Sequence, residues 1–133
     1  MPGFLSLVHA TNNGAAWSLF SSATPVLIVL RLLAGIGILT WLIRAAIPRL
    51  QTIAFSLIAA GALGNSIDGL TRGFVVDMLW SHWLSMIYTP IFRGEFPIFN
   101  IADMGVIGGT ILLMISSLLN PQKAQTQTTT PNL

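Results

Sequence analysis

Apolar residues gather into three long runs separated by shorter polar stretches. The first covers residues 23–43, "ATPVLIVLRLLAGIGILTWLI", with Arg31 as its single charge. The second covers residues 51–67, "QTIAFSLIAAGALGNSI", and turns polar at its far end. The third covers residues 101–119, "IADMGVIGGTILLMISSLL", with Asp103 near its start and Asn120-Pro121 after its end. A helix crosses a hydrocarbon layer of roughly 30 Å with about 17–25 apolar residues, so each run is predicted to span a bilayer. Pro25 falls in the first turn of its helix, where the missing N–H costs nothing.

Between the second and third runs lies "DGLTRGFVVDMLWSHWLSMIYTPIFRGEFPIF". Its "RGFVVDML" segment is β-branched and aromatic, and predicts a short strand. Trp80, Trp83 and Tyr88 suit the headgroup level. Irregular backbone at membrane depth must be covered by protein or line a wet cavity, so this segment is predicted to lie on the membrane surface above a cavity. The fold class is therefore an all-α integral membrane protein with three transmembrane helices and a short β-containing extracytoplasmic surface loop between the second and third. Residues 120–133, "NPQKAQTQTTTPNL", read as a disordered cytoplasmic tail, leaving residues 1–119 as one membrane domain.

Composition agrees with that pattern. Hydrophobic residues make up 53% of the 133 positions and charged ones 8%, against roughly 25% charged in soluble domains. Mean hydropathy is +0.77. The net charge of +2 comes from six scattered basic residues; no basic face could follow a phosphate backbone, so no nucleic-acid partner is expected. Arg44, Arg49 and Lys123 fall on one side of the predicted bundle, Arg72 and Arg93 on the other, which sets the first side as cytoplasmic. The first residues, "MPGFLSLVHATNNG", lack the basic and apolar regions of a cleavable signal peptide.

Elimination narrows the chemistry. The absence of cysteine excludes disulfides, zinc thiolates and cysteine nucleophiles. His9 and His82 are isolated, with no metal-ligand spacing. Lys123, the one lysine, lies in the tail, away from any outward-facing serine. No nucleophile elbow or phosphate-binding glycine loop occurs. Carboxylate chemistry is left, from Asp68, Asp77, Glu95 and Asp103, all on one side. Each also has a plain reading. Asp103 would suit the third turn-forming position of a helix capped by Asn100. Asp77 could be a solvated loop residue. Asp68 meets the negative end of a helix dipole, which implies a partner, either Arg72 at i+4 or Arg31. Arg31 could simply snorkel to the outer interface.

Three blocks, "TNNGAAWS" at residues 11–18, "GALGNSIDGLTRGFVVDM" at 61–78 and "FNIADMGVIGG" at 99–109, together resemble the signatures of the lipoprotein signal peptidases, also called signal peptidase II. The resemblance implies a multi-pass aspartic endopeptidase of the bacterial inner membrane, with its site on the extracytoplasmic side. It implies cleavage of prolipoproteins before a diacylglyceryl-modified cysteine. Asp77 and Asp103 match the two catalytic aspartates, and Asn12, Gly14, Asn65, Asp68, Gly73 and Asn100 match surrounding positions. Arg72 stands one turn beyond Asp68 and could serve where the family has an arginine directly after that aspartate; here that position is Gly69. Lipid-modified prolipoproteins and membrane lipids are the expected partners, no metal or organic cofactor is expected, and the chain is expected to act as a monomer. Members of the family also carry a further membrane helix ahead of the first block, which these 133 residues do not include; either the true start lies upstream of Met1 or this is a shortened member. With Gly69, that departure leaves a second reading open: a catalytically impaired member serving as a membrane binding or assembly subunit.

Overall fold

The computed structural model describes residues 4–12 and 24–119. In chain order these form β1 (Ser6–Asn12), α1 (Thr24–Leu42), α2 (Arg49–Arg72), β2 (Val75–Trp80), α3 (His82–Phe92) and α4 (Ile101–Leu119). The tail expected to be disordered, residues 120–133, lies outside the described residues, as does Gly14.

Helices α1, α2 and α4 are each long and apolar enough to cross a membrane. Few large apolar side chains are buried among them, while Leu33, Ile43, Ile107 and Leu118 stand more than half exposed. In water that surface would be a liability; in lipid it is the contact surface, because tails solvate it as well as a core would. The protein interior is instead lined by small and polar groups: Ala54, Ala59, Asn65 and Ser66 are buried on α2, which packs against both α1 and α4. Close approach needs the small residues. A Cβ on Gly61 would strike the Ala102 carbonyl of α4 and come within 2.7 Å of Val106 Cγ2. On the α1 side, the buried Ser66 hydroxyl lies 2.7 Å from the Ala62 carbonyl and 3.3 Å from that of Ile28, and Trp41 meets Phe55 edge-on with ring centroids 5.0 Å apart.

Helix α2 exceeds its predicted span at both ends. Pro48 adopts extended backbone just before it, and the helix runs on past Asn65 and Asp68 to end at Gly73. Gly73 has φ 78° and its N–H bonds the Gly69 carbonyl at 2.9 Å, the left-handed cap that glycine adopts without penalty. Polarity ended the membrane run but not the helix.

The surface segment holds more structure than one strand. β2 pairs antiparallel with β1, which the sequence reading did not foresee, matching Ala10 to Asp77 and Asn12 to Val75, with an irregularity between Leu7 and Ala10. On its other edge Leu79 exchanges two backbone hydrogen bonds with Phe99, at 2.8 and 2.9 Å. The unforeseen α3 fills the interval. The buried Ser81 caps it by accepting from the Leu84 N–H at 3.3 Å, and donates to the Phe4 carbonyl at 3.1 Å. Ser85 Oγ accepts from the Phe96 N–H at 3.0 Å. Tyr88 stacks on Phe92 at 4.4 Å and meets Phe96 edge-on at 5.5 Å, and Phe96 meets Phe99 at 5.9 Å. The chain from β2 to α4 is thereby tied back on itself and to β1, and β2 also packs against α2.

Candidate active site

Because Phe99 is bonded to β2, the next residue, Asn100, arrives beside Asp77 just as α4 begins. Asn100 caps that helix. Its Oδ1 accepts from the Asp103 N–H at 2.9 Å, and its own N–H donates to Asp103 Oδ2 at 3.1 Å. This reciprocal pair is a capping box with Asp in the usual Glu position, and it fixes the Asp103 side chain against the positive end of the helix dipole.

The remaining atoms of Asn100 connect the cap to the strand. Its Nδ2 donates to Asp77 Oδ1 at 2.8 Å and to Asn65 Oδ1 at 2.9 Å. Asn65, one turn above Gly61 on α2, donates from Nδ2 to Asp103 Oδ1 at 2.8 Å. Asn12, at the end of β1, donates to Asp77 Oδ2 at 3.0 Å. Four elements thus converge on two carboxylates. Asp77, Asn65 and Asn100 are buried, with Asp77 only 3% exposed, while Asp103 and Asn12 are half-buried. The amide orientations follow from the partners: turning Asn100 over would set its oxygen against the Asp77 carboxylate.

Burial pushes the Asp77 carboxyl above the ordinary 3.8; the Asn12 hydrogen bond opposes that, the nearby Asp103 charge adds to it, and Asn100 and the Arg31 charge oppose it. A buried acid next to a second acid is the arrangement in which one proton is readily held between two groups. Among the described residues no three metal-ligating side chains come together.

Asp68 and Arg72 stand apart from these acids and act on the backbone. Asp68 Oδ1 pairs with Arg72 Nε at 2.6 Å, and its Oδ2 accepts from the Val76 N–H at 2.7 Å. The partner left open between Arg72 and Arg31 is Arg72. The pair is too exposed to add much stability, but the second bond fixes the residue immediately before Asp77. Gly69 packs on α1: a Cβ there would lie 2.7 Å from Ile28 Cδ1, so any side chain at this position must displace that of Ile28.

Two cavities flank the network. One of about 550 Å³ is lined by His9, Asn65, Asp68, Arg72 and Asn100 among others. The other, about 460 Å³, opens on Asp103 between α1, α4 and residues 96–99; its wall is polar at Asn12, Arg31 and Asn65 and apolar at Ala34, Ile58 and Val106. Sequence reasoning treated Arg31 as a snorkelling residue. Its place on this wall was foreshadowed only by its being the sole charge in the first apolar run.

Several curated proteins similar to this chain are named lipoprotein signal peptidase. The family model for signal peptidase (SPase) II matches residues 1–119. A lipoprotein signal peptidase of Deinococcus radiodurans is 50% identical over 125 residues, which are 94% of this chain and 65% of that protein. One from Enterococcus faecalis is 35% identical over 126 residues, 94% of this chain and 72% of the relative. A bacterial membrane enzyme solved by the in meso method at 2.3 Å superposes with a TM-score of 0.73 at 32% identity, covering 100% of this chain and 74% of that one. The chain thus spans about two-thirds to three-quarters of the length of these relatives.

Proposed function

The chain belongs to the signal peptidase II family, and from that premise we propose that it removes signal peptides from diacylglyceryl-modified prolipoproteins, with Asp77 and Asp103 as the catalytic acids. The observation that carries the reading is the Asn100 carboxamide, bonded at once to Asp77, to Asn65 and to the Asp103 backbone. It holds two carboxylates from distant parts of the chain in one polar cluster at the outer end of an apolar bundle.

In the proposed reaction the pair carries one proton. The ionised carboxylate takes a proton from water, which attacks the scissile carbonyl. The protonated one gives its proton to the carbonyl oxygen, forming a gem-diol; as the C–N bond breaks, the first carboxylate passes the proton drawn from water to the leaving amine, and the second recovers its own from a gem-diol hydroxyl. The proton belongs to the pair, whose two titrations are shared properties. Asn12, Asn65 and Asn100 hold the carboxylates in register, Asp68 with Arg72 anchors β2, and the apolar side of the 460 Å³ cavity receives the lipid. The site faces the extracytoplasmic side of the bacterial inner membrane.

The test is cleavage of a lipidated prolipoprotein peptide in detergent micelles by the wild type, Asp77→Asn and Asp103→Asn. Each substitution is expected to lower kcat by at least about 10²-fold, the lower end of what general acid–base help contributes. Equal rates in all three proteins would remove the acid pair from the mechanism.

A further inference from the structure

Arg31 is the one charged residue of α1. It is half-buried, and it lines the 460 Å³ cavity together with Asn12, Asn65 and Asp103. Among the described residues it makes no hydrogen bond or ion pair, and Asp68, one of the two partners weighed from the sequence, is bonded to Arg72. A cation kept inside a membrane helix without a protein partner commonly marks the path of a substrate. Its charge is felt at Asp77, so the two groups address the same space.

We propose that Arg31 is a substrate-binding residue, whose guanidinium donates hydrogen bonds to carbonyl oxygens of the bound substrate where the cavity changes from polar to apolar. The identity of that substrate rests on the protease reading above. The ligand chemistry follows from the surroundings. An anionic group would share the cavity with an acid pair that is itself negative. Neutral carbonyl oxygens carry no such repulsion, and a guanidinium presents a planar fork of five N–H donors able to hold two of them. Below Arg31 the wall is Ala34, Ile58 and Val106, which suits the hydrocarbon attached to such carbonyls. Two parts of a lipidated peptide offer them: the main chain beside the scissile bond and the glyceryl esters.

The experiment compares the wild type, Arg31→Lys and Arg31→Gln on a lipidated peptide with ester-linked chains and on its ether-linked analogue. Arg31→Gln is expected to raise KM on the ester substrate about tenfold or more, as loss of a charge-assisted hydrogen bond does, with kcat little changed and Arg31→Lys intermediate. If the esters are the acceptors, the ether analogue has a raised KM with the wild type and is insensitive to Arg31→Gln. If the main chain is the acceptor, the penalty is the same on both substrates. Unchanged KM in Arg31→Gln overturns the proposal, as does a loss of kcat with a displaced pH profile at unchanged KM, which would make Arg31 a residue acting on the acids. Binding of a fluorescent lipopeptide without turnover separates this proposal from the protease reading. Arg31-dependent binding with no cleavage by the wild type would overturn the latter alone; cleavage with equal binding by wild type and Arg31→Gln would overturn only the proposal. Thermal unfolding of both variants in micelles confirms that folded proteins are compared, and Arg31→Lys, which keeps the charge, carries the comparison should Arg31→Gln not fold.

Discussion

The Asn100 carboxamide spends its nitrogen on Asp77 and Asn65 and its oxygen on the first turn of α4. The two roles separate by substitution. Asn100→Ser keeps a cap but cannot reach Asp77, leaving buried acceptors without a donor at about 1–3 kcal/mol. Asn100→Ala loses the cap as well, for about 1 kcal/mol more. Chemical denaturation in micelles should therefore rank wild type above Asn100→Ser above Asn100→Ala, while both variants lose activity by about 10²-fold, the scale of acid–base help. Asn12 gives a prediction of sign. Its hydrogen bond favours the ionised form of Asp77 against burial, so Asn12→Ala raises the Asp77 titration further above the ordinary carboxylate range. A base is then lost at a higher pH on the acid side and an acid persists to a higher pH on the alkaline side. Whichever role Asp77 plays, the kcat/KM profile is expected to slide toward higher pH. A slide toward lower pH would contradict the assignment. At this scale the helix cap was legible, because Asn100 and Asp103 are three residues apart. The burial of Asp77 was not, since its donors lie 65 and 23 positions away and no local pattern connects them.

Helix contacts determine whether those side chains meet. Asn65 sits one turn above Gly61, where α2 touches the α4 backbone. Gly61→Val must push the helices apart, at about 1–3 kcal/mol for overpacking, and draw Asn65 off Asp103. Reduced activity with no chemical group altered is the expected result. Gly37→Ala, whose added carbon would meet nothing within 4 Å, is the matched control and should behave as wild type. The three spans were legible because bilayer thickness imposes a length and a hydrophobicity that no partner can supply. β1 and α3 were not. "SLVHATN" is a strand only because β2, more than sixty residues later, offers it an edge, and strand propensity depends on such context. Helix α3 contains Pro90, which argues against a helix by propensity; its readable sign was Ser81, three residues before the Leu84 N–H it caps.

At the scale of the molecule, all four acids belong to the end where β1, β2, α3 and the start of α4 gather, and Arg44 and Arg49 belong to the other. The lack of native cysteine makes sidedness directly measurable. Glu95→Cys, at an exposed position, should react with a membrane-impermeant maleimide in intact cells whose outer barrier is open, and Arg44→Cys only after the inner membrane is breached. The opposite pattern would invert the proposed orientation. The family was legible in three short blocks, which supply Asn12, Asn65, Asp77, Asn100 and Asp103 to one hydrogen-bonded cluster, but the cavity on which Arg31 borders exists only once α1 stands across from α4. The capping box has one consequence for traffic. Fraying the first turn of α4 to admit a polypeptide from above would cut the acids loose in the same movement. On the proposed reading, entry that preserves them is lateral, through the cavity bordered by α1, α2 and α4, so a lipid-anchored substrate would reach the acids with that turn still wound.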